Sequence, residues 1–176
     1  MLKALKTLFR VFFKICLLRG KPQELPNSIE LLSMCLLAAG VVNFLLALFS
    51  TTAGNAVLAS IVEIALIALI TLAVLQLNRH PERWLKTMMA LTGTGIILSL
   101  IALPLFFISL HLQELAVIQL LAMLAYLGLI VWNIMIMGHI LRHALETGFG
   151  VGILFALTYI VITSISIALL LPGREI

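Results

Sequence analysis

The sequence predicts an all-α polytopic membrane protein, with five transmembrane helices preceded by an N-terminal amphipathic interfacial helix. Three observations predict it. Five long apolar runs divide the chain, nearly all basic residues gather on alternate connections, and the opening segment spaces its charges at a helical period. Composition agrees. Of 176 residues, 63% are hydrophobic and 10% charged, where soluble domains carry about 25% charged residues. That much apolar surface on so short a chain has to be covered by lipid.

The amphipathic lead-in comes first. Lys3, Lys6, Arg10 and Lys14 recur at spacings of three and four, and at 100° per residue they share an arc of about 80°. Leu2, Leu5, Leu8, Phe9, Phe12, Phe13, Ile15 and Cys16 fill much of the opposite side. The apolar side is expected to enter the headgroup boundary, and the basic side to meet anionic lipid headgroups. Such a helix either anchors the N-terminus or offers a docking surface for a partner or a specific lipid. Its interleaved charges leave no unbroken apolar stretch of the kind a cleavable signal peptide needs. The helix is expected to end near Gly20, ahead of an extended elbow set by Pro22 and Pro26. Residues 1–27 are therefore read as helix and elbow, and 28–176 as the five-helix domain.

The five runs are Leu31–Phe49, Ala56–Leu77, Met88–Leu110, Ala116–Leu141 and Val151–Leu171. Each holds about 19 to 26 residues, enough for a helix to cross a hydrocarbon core of about 30 Å. Asn27 or Ser28 is placed to cap the first, with Glu30 in its first turn, where the helix dipole favours an acid. Pro104 is expected to kink the third. The inner end of the fourth, Gly138–Glu146, is expected to extend beyond the bilayer as helix. Gly93 and Gly95 permit close approach of a neighbour, and Gly148 and Gly152 stand at the small-xxx-small spacing. Short connections make successive helices antiparallel neighbours.

Charge sets the orientation. Lys3, Lys6, Arg10, Lys14, Arg19 and Lys21 precede the first run, Arg79, Arg83 and Lys86 follow the second, and Arg142 follows the fourth. Of the eleven basic residues, Arg174 alone falls on the other side. Positive residues in short connections mark the cytoplasmic side, so the N-terminus is read as inside and the C-terminus as outside, in a bacterial inner membrane. The net charge of +4 is thereby a matter of topology, and no nucleic-acid partner is expected.

Among residues within the runs, Glu63 stands out. An acid near the middle of a span is expensive and marks a functional candidate. Asn43 lies six residues before the outer end of its run, and Glu63 seven after the outer start of the next. At 1.5 Å per residue both sit about 10 Å below the outer surface. The pair is expected to face each other or to face one interior cavity, as a tie between helices or as a proton or cation site. Asn133, Thr92, Thr94, Thr158 and Tyr159 share the inner half of the spans and are read as an inner polar cluster, either packing contacts or more.

His139 and His143 stand at i, i+4, with Arg142 between them and Glu146 three residues on. The metalloprotease pattern needs a Glu directly after the first His, and Ile140 stands there. Two histidines and a distant acid do not make a zinc site, so no metal and no cofactor is expected. Histidines and arginine at a helix C-terminus favour the dipole, and they also suit headgroup phosphates. Cys16 and Cys35 read as reduced apolar fillers. The chain shows no nucleophile elbow, P-loop, dinucleotide fingerprint or paired-carboxylate site, so a non-enzymatic role is expected.

The organisation resembles the Yip family, the Ypt/Rab-interacting membrane proteins, and their bacterial relatives. The elbow Arg19-Gly20-Lys21-Pro22-Gln23-Glu24-Leu25-Pro26-Asn27-Ser28 carries the resemblance, as do Trp132-Asn133 and Gly138-His139-Ile140-Leu141-Arg142-His143. The Asp-Leu-Tyr-Gly-Pro-like stretch of eukaryotic members is absent, since the chain has no aspartate. The resemblance implies a membrane protein that organises partners or lipids, and carries over no site residue. The expected function is a scaffold or accessory subunit acting through helix packing and its basic face, as a homo-oligomer or with a membrane-protein partner. The alternative is a small ion- or proton-coupled transport component using Glu63 and Asn43.

Overall fold

The computed structural model describes residues 2–49, 51–111 and 116–170, and the side chains of 8–49, 51–108 and 117–169 among them. Six α-helices follow one another: α1 (Leu2–Cys16), α2 (Ile29–Ala47), α3 (Ala53–Leu77), α4 (Trp84–His111), α5 (Ala116–Leu145) and α6 (Phe149–Leu170). Short 3-10 turns at Pro22–Glu24 and Pro81–Arg83 join α1 to α2 and α3 to α4. Helices α2 to α6 are each long and apolar enough to cross a membrane. Their outward faces expose Leu37, Leu69, Leu121, Leu154 and Leu169, which water would not tolerate and lipid does. The chain is an integral membrane protein.

Local chemistry explains where the helices start and stop. Ser28, and not Asn27, caps α2: its Oγ accepts the Leu31 N–H at 3.2 Å. Helices α1, α3 and α5 close in one way. Leu18, Arg79 and Glu146 take left-handed φ values of 60°, 62° and 55°. The next N–H then reaches the carbonyl five residues back: Arg19 to Lys14 at 2.9 Å, His80 to Leu75 at 2.8 Å and Thr147 to Arg142 at 3.0 Å. This is the Schellman closure, made here without glycine. It stops α1 at Cys16, ahead of the expected end near Gly20. The elbow is not wholly extended either, because Pro22–Glu24 winds into its 3-10 turn. Helix α4 continues through Pro104, and α5 is one unbroken helix to Leu145.

The spanning helices close a ring in the order α2, α3, α6, α5, α4, with α4 also touching α3. Consecutive helices are not equally close. Helix α4 packs more fully on α2 than on α3, because Ile64 and Ile67 of α3 face Leu91, Ile96 and Ser99 of α4 across a cavity. Helices α5 and α6 approach at glycines. A Cβ on Gly152 would strike the Gly138 carbonyl oxygen, and one on Gly138 would lie 2.9 Å from Ile153. Gly148 has open space instead, so the tight pair is Gly138 with Gly152 across two helices.

Helix α1 is more than a surface anchor. Phe12, Ile15 and Cys16 are buried in one core with Met88 and Met89 of α4 and Ile136, Met137 and Ile140 of α5, and Leu25 of the elbow joins them. The Phe12 ring occupies the space a Cβ on Gly93 would need. Phe9 and Phe13 remain exposed, as do Arg10 and Lys14. Lys3 and Lys6 fall outside the described side chains, and Arg174 outside the described residues.

Candidate functional site

A partly open chamber, with several polar side chains in its wall, lies between the spanning helices. One lobe, of about 150 Å³, is lined by Asn43 of α2, Glu63 of α3, Thr92, Gly95 and Ser99 of α4, Asn133 of α5 and Tyr159 of α6, among apolar neighbours. Every spanning helix contributes to it. A second lobe, of about 220 Å³, shares Asn43, Glu63 and Ser99 and adds Ser60, Phe106 and Tyr126. Glu63, Asn43 and Ser99 therefore stand where the lobes meet. At about 30 Å³ per water, either lobe is roomy enough for several, and its wall supplies the polar partners they need.

Apolar and aromatic side chains flank the chamber. Towards the end that carries the basic connections, the first lobe ends on Leu91 and Met137, which belong to the core that α1 completes with Phe12, Ile15 and Cys16. Towards the other end, Phe49, Phe106 and Tyr126 form an aromatic row, with ring centroids 6.0 Å and 6.5 Å apart. Phe106 and Tyr126 also line the second lobe.

The sequence-predicted residues separate into those the chamber gathers and those it does not. Asn43 and Glu63 line both lobes, and Thr92, Asn133 and Tyr159 line the first. Thr94 is buried but does not line it, and its Oγ1 donates to the Ala90 carbonyl at 2.8 Å. Thr158 is exposed and donates to the Leu154 carbonyl at 2.9 Å, so it stays out of the cluster. The helical period puts Thr158 one position, about 100°, away from the chamber residue Tyr159. Ser99, Ser60 and Tyr126 were not anticipated. Their one sequence signal was period: Ser99 follows Thr92 and Gly95 at spacings of three and four along α4.

The histidines serve the N-terminal segment. His139 is buried, and its Nε2 donates to the Gly20 carbonyl at 2.8 Å. Its ring meets His143 edge-on at 4.7 Å. His143 Nε2 lies 3.3 Å from Arg142 Nη2, as acceptor of its N–H. Glu146 turns away from both rings and pairs with Arg83 at 2.5 Å, which holds its carboxyl below the ordinary range. Trp132 Nε1 donates to the Cys16 carbonyl at 2.9 Å, Gln23 Nε2 to the His143 carbonyl at 2.7 Å, and Lys86 Nζ to the Gln23 carbonyl at 3.1 Å. Helices α4 and α5 thus hold α1 and the elbow by backbone carbonyls as well as by the apolar core. Cys16 and Cys35 are free thiols, both buried, and burial pushes the Cys16 thiol up to about 11.

Compared with known families, curated proteins and solved structures, the chain matches no family model, no curated protein and no solved structure.

Proposed function

We propose that the protein is a small, non-enzymatic proton- or cation-coupled membrane component, with Glu63 as its ionisable group and Asn43 beside it. The observation that supports this reading is the chamber: all five spanning helices contribute to one polar space, with an intramembrane acid where its lobes meet. A tie between two helices needs one polar contact, not a cavity with room for several waters. An apolar core on one side and an aromatic row on the other border the space around Glu63, the kind of midplane site that alternating-access carriers use. The gathering of cations at the end nearest Leu91 and Met137 supports placing that end in the cytoplasm. Reconstitution tests the reading. Liposomes holding the protein, a pH-sensitive dye and an imposed proton or sodium gradient should dissipate that gradient. Glu63→Gln should cut the rate at least tenfold, with circular dichroism and elution volume unchanged. Flux equal in wild type and Glu63→Gln would sink the proposal.

A scaffold or accessory role is the second reading, in line with the Yip-type resemblance. One observation favours it. Phe9 and Phe13 lie exposed and stacked, with centroids 6.4 Å apart, beside Arg10 and Lys14 on a helix fixed to the bundle. That edge suits anionic lipids or a membrane-protein partner, a second copy included. On this reading Glu63→Gln is tolerated, and replacing Arg10 and Lys14 by Gln removes whatever co-purifies in mild detergent.

A further inference from the structure

Outside the chamber, polar groups also converge at the basic end of the bundle. A cleft of about 560 Å³ is lined by Lys21 and Gln23 of the elbow, Arg83 of the α3–α4 connection, and Arg142, His143, Glu146, Thr147, Gly148 and Phe149 around the α5–α6 junction. Its wall carries three cations against one carboxylate, and that carboxylate already engages Arg83. The C-terminus of α5 would oppose an anion, but its carbonyls are occupied. Gln23 takes the His143 carbonyl at 2.7 Å, and Arg83 takes the Ala144 carbonyl at 3.2 Å. The N-terminus of α6 opens into the cleft, and the first-turn N–H groups of a helix have no partner within it. A Cβ added at Gly148 or Gly150 would meet nothing within 4 Å, so this backbone is approachable.

Three further observations point to an anion. The Arg142 guanidinium lies 5.6 Å above the Phe149 ring, at the first residue of α6, a cation–π contact that fixes it there. His143 Nε2 accepts from Arg142 at 3.3 Å, which leaves its Nδ1 to carry the proton as a donor. Among the described residues, the buried Thr147 Oγ1 has no hydrogen-bond partner, and Thr147 lines this cleft. A buried hydroxyl without a partner is costly, and an oxyanion that reached it would remove that cost. A planar guanidinium, an ammonium, a hydroxyl and helix N–H groups together supply donors for an oxyanion, the set that phosphate sites use.

We propose that this cleft binds one phosphate group, held by Arg142, Lys21 and the N-terminus of α6, with Thr147 completing the set. The phosphate can be the diester of an anionic lipid headgroup or a free phosphate in solution. The site is independent of the chamber and stands whether or not Glu63 carries an ion.

The test uses the full-length protein in a zwitterionic detergent. Two probes are compared: inorganic phosphate against chloride at equal ionic strength, and phosphatidylglycerol against phosphatidylcholine in mixed micelles. Thermal unfolding and native mass spectrometry are the readouts. A rise in Tm with inorganic phosphate identifies a free-phosphate site. Retention of phosphatidylglycerol without a phosphate response identifies a headgroup site. Either supports the proposal, provided that Arg142→Gln and Lys21→Gln each weaken binding about tenfold while Arg79→Gln, whose exposed cation lies outside the cleft, leaves it unchanged. The exposed Lys21 side chain makes Lys21→Gln safe for folding if Arg142→Gln is not. Loss of binding in equal measure for Arg79→Gln, or no response to either probe, overturns it.

Discussion

Arg79 is exposed and sits at φ 62°, in the left-handed region where an L side chain costs about 1–2 kcal/mol. Glycine avoids that cost but raises the entropy of the unfolded chain. Arg79→Gly is therefore expected to leave the protein as stable or up to about 1 kcal/mol more stable, read as a Tm no lower than wild type in detergent. The sequence concealed these closures, because a stop at α1, α3 or α5 is signalled by glycine and Leu18, Arg79 and Glu146 stand there instead. The start of α2 was legible, since Ser28 ahead of Ile29-Glu30-Leu31 carries the oxygen that the first-turn N–H groups need. Glu63 was legible for a related reason: an acid in an apolar run has few physical explanations. Tyr126 offered no such contrast, because a tyrosine suits a lipid-facing or interfacial position equally well.

Among elements, α5 and α6 make the closest pair, and the contact rests on Gly152 against the Gly138 carbonyl. Gly152→Val forces these backbones apart and should destabilise the protein by about 1–3 kcal/mol, seen as a lower Tm and, if the helices separate, altered near-ultraviolet dichroism. Gly148→Ala, where a Cβ meets open space, is the matched control. Sequence spacing alone pointed to Gly148 with Gly152 and missed Gly138, because small-residue spacing is visible only along one helix, and a contact partner on another helix is not. Helix α1 shows the same limit. A helix with one apolar face satisfies that face with lipid or with protein by the same periodicity. Gly93 marked a place where a neighbour comes close, and the fold fills it with the Phe12 ring in place of another backbone.

For the molecule as a whole, the core does not stop at the spanning helices. It is continuous from α1 and the elbow through α2, α4 and α5, so the N-terminal segment belongs to the same unit as the ring. Phe12→Ala is expected to cost about 3 kcal/mol or more, as for other buried aromatic truncations. It should lower the Tm and expose α1 to limited proteolysis before the rest of the chain. If the Tm falls by less than a degree, α1 contributes little to the fold. The five spanning helices followed from five apolar runs, but their ring order did not, because α3 neighbours α6 as well as α4. Nor did their arrangement around a polar space, because burial of polar groups depends on how helices rotate about their axes, which run length does not determine.

The hydrogen bonds that hold the N-terminal segment also govern the order of assembly. The carbonyls of Cys16 and Gly20 wait for donors 116 and 119 residues downstream, and the Gln23 side chain waits for a carbonyl 120 residues away. At about 5–20 residues per second, a ribosome needs roughly 6 to 25 seconds to supply those partners. Until α4 is made, the side of α1 that will hold Phe12, Ile15 and Cys16 has only lipid to rest on, and its hydrogen bonds wait longer still for α5. Its amphipathic pattern serves the nascent chain first and the finished protein second.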